Sequence, residues 1–206
     1  MPRLLSRFPF TLAMLALTVL AAGAAGTVRD GLTPALVEAY GYAACDLWHL
    51  RWGRLISSVF FTDGTRSLVQ AVGIVGLACG VLEKRFGTRL AALTFWGLHF
   101  LALITLSLVI ALPLPDSATW PRSAMLVGRD VGSSAGYFGC LAVVLGTLPG
   151  GWRRLAPAYL LSLVLVMGWT LLGHGNALKL TADLAHVLTF ALGLGVASRL
   201  RPQPEH

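Results

Sequence analysis

The chain reads as an all-α polytopic membrane protein, a bundle of six transmembrane helices with one long outer segment lying in the membrane interface. Three observations carry this reading. Hydrophobic residues make up 56% of the 206 positions and charged residues 12%, with a mean hydropathy of +0.73, whereas soluble domains carry about 25% charged residues. The apolar residues fall in long blocks, and a helix needs roughly 20 of them to cross ~30 Å of hydrocarbon. The cations, finally, are shared unequally between alternate connections. Together these features predict a single membrane domain over residues 1–206.

The first block spans residues 8–28. Its flanking Arg3 and Arg7 and its small residues from Ala21 to Gly26 also fit a cleaved signal peptide. The apolar run is longer than a usual signal core, and cleavage would put the new N-terminus outside, so the block is read as a retained span. Residues 29–66 are too many for a turn and too apolar for a free tail. They are expected to form one or two helices in the outer interface, with Trp48, His49 and Trp52 among the interfacial residues. The later spans are expected at 67–82, 90–113, 131–148, 155–172 and 184–197. The second and sixth are short and contain glycine, as suits helices buried within the bundle. Helices are required throughout, because lipid offers no partner to an exposed backbone N–H or C=O.

Charge sets the orientation. With the N-terminus in the cytoplasm, the inner segments hold nine cations (Arg3, Arg7, Lys84, Arg85, Arg89, Arg153, Arg154, Arg199, Arg201) against Glu83 and Glu205. The outer segments hold seven cations (Arg29, Arg51, Arg54, Arg66, Arg122, Arg129, Lys179) and seven acids (Asp30, Glu38, Asp46, Asp63, Asp116, Asp130, Asp183). The whole net charge of +7 thus falls on one face, as the positive-inside rule requires. The expected location is the plasma (inner) membrane, with both termini cytoplasmic. Nucleic acid is not an expected partner, since the cations sit at helix ends and form no basic stripe.

Cys45, Cys79 and Cys140 imply no disulfide framework. No Cys/His spacing suits a metal and no glycine-rich loop suits a phosphate, so no metal or cofactor is expected. The chemistry must lie in the few polar groups that the membrane would penalise. The fourth span opens Asp130-Val-Gly-Ser-Ser134 and the sixth opens Asp183-Leu-Ala-His186, while His99 lies midway along the third and Gln70 near the outer end of the second. Ser134 and His186 each follow the expected start of a span that runs inward, at roughly 5–6 Å depth. A serine needs a neighbouring base to take its proton, and histidine is the usual one. Gly132, Ala135, Gly136 and Gly139 on one span, and Thr189, Gly193 and Gly195 on the other, are small enough to let these helices approach. Small-residue stripes also serve ordinary packing, and a membrane histidine can simply bond a carbonyl. His99 is expected to hydrogen-bond a neighbouring helix, with a second catalytic role as the alternative.

Gly132-Ser133-Ser134-Ala135, continuing to Phe138 and Gly139, resembles the Gly-x-Ser-Gly motif that opens the fourth helix of rhomboid intramembrane proteases. Asp183-Leu-Ala-His186, with Gly193, resembles the Ala-His motif of their sixth helix. Glu83-Lys84-Arg85-Phe86-Gly87 is similar to the Glu-x-Arg-x-Gly end of helix two, and Trp52 with Arg54 loosely resembles the Trp-Arg of the first loop. The likeness follows family order over most of the chain and is nearest the divergent actinobacterial branch. It implies a Ser134 nucleophile and a His186 base that cleave transmembrane protein substrates near the outer face, with Phe138 packed on the imidazole. The departures are Ala135 and Thr189 in place of glycines, and Ser67 and Ala71 near the positions of the family's His-x-x-x-Asn oxyanion donors. Gln70 and backbone N–H groups beside Gly132 are the remaining donors, Gln70 being equally readable as a plain helix-end residue. The opposed expectation is a pseudoprotease that binds transmembrane helices without cutting. A small transporter is disfavoured, because no midspan acids or broken helix pair are present.

Overall fold

A computed structural model of the chain describes residues 7–111 and 122–200. The expected outer end of the third span near Pro113, together with Arg3, Asp116, Arg201 and Glu205, lies outside the described residues. Among those described, the structure is helical, with one isolated antiparallel bridge between Tyr42 and Asp130. Six helices form the bundle: α1 (Pro9–Ala24), α2 (Gly64–Phe86), α3 (Thr88–Ala111), α4 (Ser134–Gly146), α5 (Leu155–Trp169) and α6 (Ala177–Arg199). Counting the 3-10 turns at Gly150–Arg154 and the wider π-helical turn at Thr170–His174 that extend α5, four of them, α2, α3, α5 and α6, are long and apolar enough to cross a membrane. Helices α1 and α4 are apolar but shorter, at 16 and 13 residues.

One end of the bundle is tied by Glu83. Its carboxylate accepts from Phe10 N at 3.0 Å, Thr11 N at 2.9 Å, Thr11 Oγ1 at 2.7 Å and Thr88 Oγ1 at 2.8 Å. A single acid thereby meets the unpaired first-turn amides of α1 and fastens the starts of α1 and α3 to the end of α2. Gly87, at φ +86°, makes the turn into α3 that a side chain would strain. Arg85 donates to Thr147 O at 2.9 Å just past α4, and Gly146 meets Ala197 of α6. The Glu83–Gly87 stretch is therefore the clasp at which five helix ends converge. The helices alternate in direction, so residues 7 and 200 lie at this same end.

The opposite end is organised by the long segment between α1 and α2. It forms short helices at Thr27–Asp30, Pro34–Tyr40 and Gly53–Ser57, with 3-10 turns at Ala44–Leu47 and Ser58–Phe60, more pieces than the one or two expected. Asp46, wholly buried, is its hub: it accepts Ala43 N at 3.0 Å and pairs with Arg54 at 3.1 Å and with Arg129, which also holds Glu38 at 2.7 Å. Farther in, Leu55 O meets His99 Nε2 at 2.9 Å and Tyr42 OH meets Ser107 Oγ at 2.8 Å, so the segment is bonded into α3 at two depths. His99 thus bonds a carbonyl of the short helix Gly53–Ser57 rather than one of the long helices. Trp48, Leu50 and Trp52 are left exposed at its rim.

Helix starts differ from expectation at α2, which begins three residues early at Gly64, and at α4 and α6, where the difference bears on the site. Helix α4 begins at Ser134 instead of 131, because Asp130 is paired through its backbone with Tyr42 and Gly132 N donates to Ser58 O at 2.8 Å. Those long-range bonds hold the approach to α4 extended. Helix α6 begins at Ala177 instead of 184. Asn176 Oδ1 accepts Lys179 N at 2.8 Å, and the charges of Lys179 and Asp183 are absorbed by each other and by Thr170 at 2.6–2.9 Å. His186 is accordingly the tenth residue of α6, about 13–14 Å along it, and the common depth of 5–6 Å expected from the sequence does not describe it.

Candidate functional site

Helices α4 and α6 cross where neither has side-chain bulk. A Cβ built on Gly193 would lie 2.5 Å from Gly139 O and 2.7 Å from the Ala142 Cβ, while one on Gly136 would meet the Phe95 ring at 2.6 Å. The small residues are thus packing devices, and the approach they allow brings His186 beside the N-terminal turn of α4. Ser134 and His186 line one cavity of about 210 Å³, together with Thr62, Ser67, Gln70, Ala71, Gly132, Ser133, Tyr137 and Ala182. The pair meets because α4 starts late while α6 starts early.

The imidazole of His186 packs on Phe138, with ring centroids 4.4 Å apart at 41°. Its Nε2 is buried without a hydrogen-bond partner, and the buried Ser133 Oγ is likewise unpartnered. Ser134 and His186 share the cavity without a hydrogen bond between them. An unpaired buried ring nitrogen is costly, and this one is not engaged by any other group of the protein. Ser134 also borders a second space of about 30 Å³, lined in addition by Ser58 and His99, enough for one water.

Donors to a developing negative charge come from two directions. Gly132, at φ +126°, turns the chain into α4 in a conformation that a side chain would oppose. Ser133 forms no side-chain cap there, so the first-turn N–H groups keep their hydrogen-bonding capacity at the positive end of the helix. Across the cavity α2 supplies Gln70, with Ser67 and Ala71 on either side of it in sequence. All five residues singled out from the sequence, Ser134, His186, Gly132, Gln70 and Phe138, therefore meet around one site. No group of three or more His, Cys, Asp or Glu side chains that could hold a metal exists among the described residues.

Sequence reasoning missed the supports of this site. Tyr42 holds the extended approach to α4 through its backbone and α3 through its hydroxyl. Asp46 braces Arg129, the residue before Asp130. Burial pushes the Asp46 carboxyl upward, but the Ala43 amide and the Arg129 and Arg54 guanidiniums outweigh it, and the net shift is downward. The available signal was Asp46 standing as an isolated acid within an apolar stretch. Comparison with models of protein families, with curated protein sequences and with solved structures finds no match to this chain.

Proposed function

We propose that the protein is a rhomboid-like intramembrane serine protease of the plasma (inner) membrane, with all six helices spanning and both termini cytoplasmic. The observation that carries this reading is the convergence of Ser134 and the unpartnered His186 imidazole on one partly polar cavity. In the proposed reaction His186 takes the Ser134 proton as Oγ attacks a substrate peptide carbonyl. The resulting oxyanion is met by first-turn amides of α4 and by Gln70. The proton passes to the leaving amine, and water then hydrolyses the acyl-enzyme with His186 again as base. The aromatic face of Phe138 limits the orientations open to the imidazole. No cofactor is needed. The substrates are transmembrane proteins reached from the bilayer and cut near their extracytoplasmic ends.

The test compares membranes expressing the wild-type chain with membranes expressing Ser134→Ala. New protein termini close to the outer ends of transmembrane segments are expected with the wild type only. Identical termini in both would refute proteolysis. A pseudoprotease that only binds transmembrane helices is favoured by one observation, the absence of the family's paired side-chain donors on α2. That reading predicts co-purifying membrane proteins that remain uncut and are retained equally by Ser134→Ala.

A further inference from the structure

The glycines of the bundle are of two kinds. At Gly136, Gly139, Gly146 and Gly193 an added Cβ would come within 2.5–2.7 Å of a neighbour, so glycine there permits contact. On α2 the reverse holds. A Cβ on Gly76 would lie 3.8 Å from Leu15, one on Gly80 3.8 Å from Thr11, and one on Gly73 would meet nothing within 4 Å. These positions leave space unfilled. The space is an open apolar groove of about 280 Å³ between α1 and α2, walled by Leu12, Leu15, Leu77 and Val81. At the clasp end it adjoins a second cavity of about 310 Å³ lined by Arg7, Phe8, Glu83 and Lys84, and Phe8 and Lys84 belong to both.

The mouth carries a net charge of +1, from Arg7 and Lys84 against Glu83. The Glu83 carboxylate oxygens are engaged by four neutral donors from α1 and Thr88, so the two cations are the groups left to meet an anion. Arg7 and Lys84 form no ion pair among the described residues. An apolar furrow of this width, ending at two cations, is complementary to one acyl chain joined to an anionic head. A second copy of the chain docked in the same way would bring Arg7 and Lys84 against their own counterparts, where like charges repel.

We propose that the α1–α2 groove is a binding site for an anionic phospholipid, with an acyl chain over Gly76 and Gly80 and the phosphate between Arg7 and Lys84. This site is separate from the Ser134 cavity and does not depend on proteolysis. The test is native mass spectrometry of delipidated, detergent-purified protein titrated with phosphatidylglycerol or phosphatidylcholine. Two juxtamembrane cations offset by the Glu83 carboxylate leave one net positive charge and predict roughly fivefold tighter binding of phosphatidylglycerol. Arg7→Gln with Lys84→Gln should erase the preference while leaving residual binding of both lipids. Gly76→Leu and Gly80→Leu fill the groove without a backbone clash and should weaken both lipids, with unchanged circular dichroism certifying the fold. Equal binding of the two lipids by wild type would overturn the proposal. So would lipid binding unaffected by Gly76→Leu and Gly80→Leu, or a dimer lost only in those variants.

Discussion

Ser134 and His186 illustrate which parts of a site a sequence exposes. Both are polar residues in apolar blocks, where the energetic cost of a polar group marks it as a candidate, and both line the cavity. The packing of Phe138 on His186 was expected only through the family resemblance, since spacing along one helix does not say which ring of another helix it will meet. The depth arithmetic that joined them was not sound, since it took both helix starts from local pattern. Those starts depend on Tyr42, Ser58 and Thr170, which lie far away in sequence or beyond the helix itself. At this scale Gln70 gives a specific expectation. Gln70→Ala should slow labelling of Ser134 by a serine-directed reagent about 10²-fold, read as an initial rate, whereas Ser67→Ala should leave it within about twofold. Equal rates for wild type and Gln70→Ala would assign oxyanion stabilisation to the α4 amides alone.

Among the elements, the α4–α6 crossing and the segment of residues 29–66 do the positioning. Gly193→Leu drives a side chain into Gly139 O and Ala142 and should cost about 1–3 kcal/mol or more by overpacking, seen as a lower Tm in detergent. Gly195→Ala, where an added Cβ meets nothing within 4 Å, should be neutral or stabilising by up to about 1 kcal/mol. The long segment depends on Asp46, whose side chain is 0% exposed between Arg54 and Arg129. Asp46→Asn leaves the two guanidiniums with only the exposed Glu38 as anion and should cost about 1–3 kcal/mol. The sign of its pH dependence follows from the lowered pKa. A carboxylate whose folded-state value lies below its unfolded value of about 3.9 contributes stability above that pH. The contribution is lost as the pH falls through the window between the two values. Wild type should therefore lose Tm on acidification below about pH 4, and Asp46→Asn should lose less over the same range. The sequence placed this segment at the interface from composition, but its division into short pieces was hidden, because long-range bonds decide where each piece stops.

For the whole molecule, the helical class and the apolar blocks were plain because the bilayer imposes a strong and local signal. Helix α5 shows why: Leu161, Leu165, Val166 and Trp169 are exposed and only Ala156 is buried, an arrangement suited to lipid on most sides. The two ends of the bundle have different work. The clasp at Glu83 and Arg85 gathers five helix ends, and the opposite end holds the Ser134 cavity beside the braced segment of residues 29–66. The account as a whole turns on whether Ser134 is an activated nucleophile. The direct measurement is labelling of purified, folded protein in detergent by a fluorophosphonate, with Ser134→Ala and His186→Ala alongside and the adduct located by peptide mass spectrometry. The expected result is a phosphonylated Ser134 in wild type, with labelling lost in both variants. A folded wild-type protein that takes up no label, or labelling that survives in Ser134→Ala, would contradict the account.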